Sequence, residues 1–212
     1  MLLVSALEAA IDTIIMKQAR SSNRLDAMAD YVKQRFVVHG LPINGLYGGH
    51  GGELKVRGLA RTKDWDVAYE FAGKYRLLVS LKSLWKNARG AVPNRIDDHM
   101  GEVANIQQLH PELVTGYVVL FDQVADSERK EDGLLWSEFF KQAIGKIAIR
   151  KAPIWNQGLL EASWFIHFNS TRPNGQRLLD ADGAAEDGEA FVAELIAELR
   201  RREPAIPLTT GS

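Results

Sequence analysis

Two apolar runs around a glycine turn constrain this chain more than any other feature. Asp66-Val-Ala-Tyr-Glu-Phe71 and Tyr75-Arg-Leu-Leu-Val-Ser-Leu-Lys82 read as strands, with Ala72-Gly73-Lys74 as the tight turn between them. If the hairpin pivots on Gly73, paired residue numbers sum to about 146. Asp66 then faces Ser80, and Asp64 faces Lys82. Side chains alternate along a strand, so Asp66, Ala68 and Glu70 share one face, and Ser80 and Lys82 belong to the matching face of the partner. The same register sets Glu70 opposite Arg76 as a cross-strand ion pair.

A carboxylate and a lysine are thereby placed together, just before a loop rich in Lys, Arg and Asn. This combination points to metal-dependent phosphodiester cleavage. Such a reaction needs charge neutralisation, an activated water and a positioned cation. Magnesium takes oxygen ligands and keeps waters, so one or two carboxylates suffice to hold it against a phosphate. Asp66 supplies one carboxylate, and Lys82 a cation to orient water or stabilise developing charge. The bland alternative is a structural ion pair across the hairpin.

Charge distribution agrees with a polyanion partner. Net charge is −1, yet Leu54 to Arg95 holds ten basic residues against three acids, a local +7. From Arg177 onward there are four basic residues against eight acids. A near-neutral protein with one basic segment can bind a polyanion there. Arg61, Lys63, Lys86, Asn87, Arg89, Asn94 and Arg95 are the candidate DNA contacts, since Arg and Asn can also read base edges. The chain has no cysteine, which excludes disulfides, cysteine zinc sites and thiol nucleophiles and fits a reducing cytoplasm. No apolar run approaches the roughly 20 residues of a membrane span. Gly48-Gly-His-Gly-Gly52 is not a P-loop, because no Gly-Lys-Ser/Thr follows. The five tryptophans read as core or interface anchors.

Along the chain, helices are expected over residues 2–36 with a break at 21–23, then a glycine loop over 40–52 and the hairpin. A polar loop follows over 86–94, a helix over 94–109 and a buried strand over 115–121. Further elements are a charged loop over 126–132, a helix over 134–149, a strand over 160–168 and a helix over 189–202. The fold class is α/β, a mixed central β-sheet flanked by helices. One domain spans 1–204: N-terminal helices over 1–36, core sheet and helices over 53–170, and a C-terminal helix over 187–203. A frayed tail covers 205–212.

From Arg61 to Asp122 these residues resemble the PD-(D/E)XK nuclease superfamily, the fold of most type II restriction endonucleases. Asp66 matches the Asp of the first half-motif, and Ser80-Leu-Lys82 the second. The family usually has an acid where this chain has Ser80. Some restriction enzymes carry Ser-X-Lys and take the missing acid from the next helix. Here Glu102 is the first candidate and Asp98 the second, four residues apart on one helix face. The resemblance implies a restriction-endonuclease-like fold and a Mg²⁺-dependent DNA endonuclease, with Asp66 and Glu102 on the metal. It also implies double-stranded DNA as partner, a homodimer and a cytoplasmic location. Alternatives are a repair or defence nuclease of the same fold, or a DNA-binding protein that does not cut.

Overall fold

The structure, a computed structural model, describes residues 2–17, 23–151 and 158–209. Two helices open it, α1 (Leu2–Met16) and α2 (Asp26–Val38). Five short or medium strands follow: β1 (Leu46–Gly48), β2 (Leu54–Arg57), β3 (Thr62–Trp65), β4 (Val67–Phe71) and β5 (Lys74–Leu84). Then come α3 (Ala88–Gln107), β6 (Val114–Asp122), α4 (Trp136–Ile147), β7 (Ala162–Phe168) and α5 (Ala181–Arg202). The main sheet has the order β1-β4-β5-β6-β7. Its β1–β4–β5 side is antiparallel, and its β5–β6–β7 side is parallel with α3 and α4 as crossovers. The expected mixed sheet flanked by helices is therefore present. β6 is buried at every position, as a central strand covered on both faces must be.

Alternation along β5 decides which helices meet which side chains. Leu77, Val79 and Leu81 join the core formed with α1, α2 and α5. Leu78 and Leu84 point the other way, into the cores that α3 contributes to. Ser80 and Lys82 share that second face by the period of two, so the motif residues lie under α3.

The hairpin register differs from the expected one at both ends. Val67 pairs with Val79 and Tyr69 with Leu77, which is the pivot read from the sequence. A bulge then sets Glu70 opposite Tyr75 and leaves Arg76 as the extra residue. Ala72 and Gly73 both have positive φ, the two-residue turn whose twist suits a hairpin. Arg76 consequently does not pair with Glu70; it binds Glu203 at 2.5 Å. Asp64 does not face Lys82 either. The chain bends at Asp66, and β3 leaves the sheet to pair with β2, Asp64 opposite Lys55.

Three other boundaries move. α3 begins at Ala88, inside the expected polar loop, because Asn87 adopts a left-handed conformation and its side chain accepts a hydrogen bond from Gly90 N. Pro93 is carried within that helix. α5 begins at Ala181, capped by Asp180. Gly188 is a packing residue: a Cβ there would lie 2.6 Å from the Trp164 ring. The tail is docked to Thr209, with Ile206 buried and Thr209 N bonded to Gly40 O at 3.0 Å. Trp65, Trp136 and Trp164 are buried anchors. Trp155, the expected break at Ser21-Ser22 and the last three residues lie outside the described residues.

Candidate active site

The bend between β3 and β4 puts Asp66 against β5. Its Oδ2 accepts a hydrogen bond from Leu81 N at 2.8 Å, and the Asp66 backbone N–H also bonds the carboxylate. Burial pushes the Asp66 carboxyl above the usual carboxylate range, against the pull of Lys82 and the Leu81 N–H. Lys82 is half-buried and makes no hydrogen bond or ion pair among the described residues. The two groups that carry the motif are thus neighbours in charge, each without a competing side-chain partner.

Ser80 is fully buried, and its Oγ accepts a hydrogen bond from Lys63 Nζ at 3.3 Å. The same ammonium donates to Glu102 Oε2 and lies 4.4 Å from the centre of the Trp65 ring. Lys63, expected among the DNA contacts, is therefore an internal residue; its side chain is 15% exposed and that of Glu102 13%. Burial and then the Lys82 charge push the Lys63 ammonium down to about 8, with Glu102 opposing. Arg61 approaches the second Glu102 oxygen at 3.9 Å from the surface. Asn105, one turn along α3, fixes this corner: it accepts from Ala60 N at 2.6 Å and donates to Arg61 O at 3.0 Å.

Asp98 does not join Ser80 or Lys63. It is exposed and paired with Arg95 at 3.7 Å. Together with Lys86, Asn87, Gly90, Ala91, Asn94 and Arg95 it lines an open groove of ≈ 350 Å³. Four of the expected DNA contacts, Lys86, Asn87, Asn94 and Arg95, are brought together there. Arg89 is exposed and does not line the groove. Burial pushes the Tyr117 hydroxyl up, with smaller effects from the charges of Arg95, Glu102, Asp66 and Asp98.

The sequence offers Glu53, with Glu8 and Asp12, as an extra acid or more simply as a structural one, while the close approach of the glycine segment escaped it. Glu53 precedes β2, whose Leu54 pairs with Trp65, the residue before Asp66. Burial, and then the Asp66 charge, raises the Glu53 carboxyl. The glycine segment before it is a strap on the site. A Cβ on Gly48 would fall 2.2 Å from Asp66 O, and one on Gly49 2.0 Å from Asp30 Oδ1. Asp30 binds the His50 ring, and Lys33 Nζ holds Gly48 O at 2.9 Å. The cluster of glycines was the only signal of this close approach.

A hydrated magnesium ion fits the donor chemistry at Asp66, a half-buried carboxylate held by the Leu81 N–H with no side chain hydrogen-bonded to it among the described residues. A full protein cage is not formed: no group of three or more metal-ligating residues is assembled among the described residues. Magnesium does not require one, since it retains waters beside one or two carboxylates.

His99 stacks on Tyr117 with ring centres 3.7 Å apart, and neither ring nitrogen has a hydrogen-bond partner among the described residues. Burial, then the Lys63 and Lys82 charges, push it down to about 3, from 6.5. Between those values the unfolded chain takes up a proton that the folded one refuses. Stability from this group is complete above pH 6.5 and falls on acidification, by up to about 1.4 kcal/mol per pH unit. His99→Phe keeps the stack and should flatten the difference between urea unfolding at pH 6.5 and at pH 4.5. An equal pH slope in variant and wild type would contradict this.

No protein-family model, curated protein or solved structure matches this chain. Among the described residues no helix is long and apolar enough to cross a membrane.

Proposed function

We propose that the chain is a Mg²⁺-dependent DNA endonuclease of the PD-(D/E)XK kind, cutting double-stranded DNA as a type II restriction enzyme does. The observation that carries this reading is the Asp66 carboxylate, pinned by Leu81 N–H beside the unpaired Lys82. A magnesium ion bound there would neutralise phosphate charge and lower the pKa of the attacking water. Asp66 holds one oxygen toward that position. Lys82 orients the water or stabilises the charge that builds on the phosphoryl oxygens. Lys86, Asn87, Asn94 and Arg95 hold the duplex along the adjoining groove, by phosphate contacts and base edges. A homodimer suits cutting both strands of a palindromic site. The expected setting is the cytoplasm.

One observation favours a second reading, a DNA-binding protein without cleavage: Ser80 replaces an acid, and Glu102 is engaged by Lys63. Digestion of plasmid and genomic DNA with Mg²⁺ or EDTA separates the possibilities. Discrete Mg²⁺-dependent fragments are expected. Nicking without a defined pattern would shift the assignment to a repair or defence nuclease. Equal binding with and without Mg²⁺, and no cut on unmodified or modified DNA, would establish the binder.

A further inference from the structure

The carboxylate that the nuclease resemblance enlists as second metal ligand, Glu102, already has a cation. Lys63 Nζ contacts Glu102 Oε2, Ser80 Oγ at 3.3 Å and the Trp65 ring at 4.4 Å. A carboxylate, a hydroxyl and an aromatic face are the surroundings that satisfy an ammonium. We propose that Lys63 is the resident cation of Glu102, so that the site takes one divalent ion, at Asp66, and Glu102 is not among its ligands. This rests on the nuclease reading for Asp66 and concerns how that site is completed.

Three features hold the arrangement. Lys63 and Glu102 are both largely buried, and separating a desolvated pair strands two charges. Lys63 sits on β3, whose turn is tied to α3 by Asn105, so lysine and glutamate belong to one braced corner. A second dication placed on Glu102 would lie beside Lys63, with Lys82 close enough to act on that ammonium, and like charges at short range repel strongly when partly buried. Ser80 completes the logic. An acid at that position would compete with Glu102 for the lysine, whereas a hydroxyl accepts from the same ammonium without a charge.

Mn²⁺, which shares magnesium's preference for oxygen ligands, is the probe. It would be titrated into the full chain without DNA, by calorimetry and by electron paramagnetic resonance to count bound ions. Wild type is expected to bind one ion, and Asp66→Asn to lose at least tenfold in affinity. Glu102→Gln should stay within threefold of wild type. Lys63→Met, which frees the carboxylate, should bind at least tenfold more tightly or take a second ion. If Lys63→Met does not fold, Glu102→Gln decides alone. A tenfold or greater loss in Glu102→Gln would overturn the inference while leaving a metal site at Asp66. Absence of Mn²⁺ binding by wild type would overturn the metal-dependent reading and this inference with it.

Discussion

Asp66→Asn should yield a protein that melts at a higher temperature than wild type and cleaves DNA on the order of 10³-fold more slowly or not at all. Both effects have one cause. The Asp66 carboxyl is raised above its usual range mainly by burial, so ionising it costs more in the folded chain than in the unfolded one. An acid with a raised folded pKa costs stability above that pKa, and the cost vanishes as pH falls below the unfolded value. Asparagine removes the charge, and its carbonyl oxygen can still accept the Leu81 N–H. The gain in melting temperature should therefore be largest at neutral pH and shrink toward the ordinary carboxylate range. Calorimetric melts of wild type and variant at several pH values check the first effect, and plasmid nicking the second. A variant less stable than wild type at pH 7 would mean that the charge on Asp66 supports the fold. Its place in the site would then need another explanation.

The second large effect lies at the opposite end of the sheet. Glu161 is fully buried just before β7 and accepts from Thr115 N at 2.6 Å and Thr115 Oγ1 at 2.8 Å. Its other oxygen accepts from Arg150 at 2.8 Å and Arg202 at 2.5 Å. Arg150 also donates to the Leu113 and Pro111 carbonyls, and Arg202 to Leu113 O, so the last turn of α5 is tied to the entries of β6 and β7. Removing Glu161 leaves Arg150 buried with backbone carbonyls as partners but no carboxylate, while Arg202 keeps Glu198 at 3.3 Å. Glu161→Ala should cost about 3–5 kcal/mol of unfolding free energy, measured by urea denaturation at neutral pH. A loss below about 1 kcal/mol, typical of an exposed ion pair, would show that the arginines reach water once the glutamate is gone.

Much of the sheet was legible because it is written in local pattern. The apolar run over 115–121, the alternation over 75–82 and the Ala72-Gly73 turn specify strands and a register with few alternatives, and the α/β class follows. Asp66 and Lys82 could be placed together because a hairpin converts sequence distance into spatial distance. The pairing failed where that conversion failed. Lys55-Val-Arg57 and Thr62-Lys-Asp64 are short and polar, with no strand signature, so the β2–β3 ladder was invisible and Lys63 looked like a surface cation. The bulge at Arg76 has no local marker; its side chain is claimed by Glu203, 127 positions later. Nothing in the local pattern marks Glu161, Arg150 and Arg202, since only tertiary packing makes them a buried network. Asn87 hid the start of α3, because a left-handed asparagine serves a loop as readily as a cap. Glu102 was found by its helical spacing, but what it binds depends on a strand the pattern did not disclose.

The most direct test of the central claim is the rate at which purified wild-type protein, Asp66→Asn and Lys82→Ala convert supercoiled plasmid to nicked and linear forms, with Mg²⁺ and with EDTA. Mg²⁺-dependent conversion by wild type, lost in both variants while they melt cooperatively, is the predicted result. Conversion that persists in Asp66→Asn, or is indifferent to EDTA, would contradict an active site built on Asp66 and Lys82.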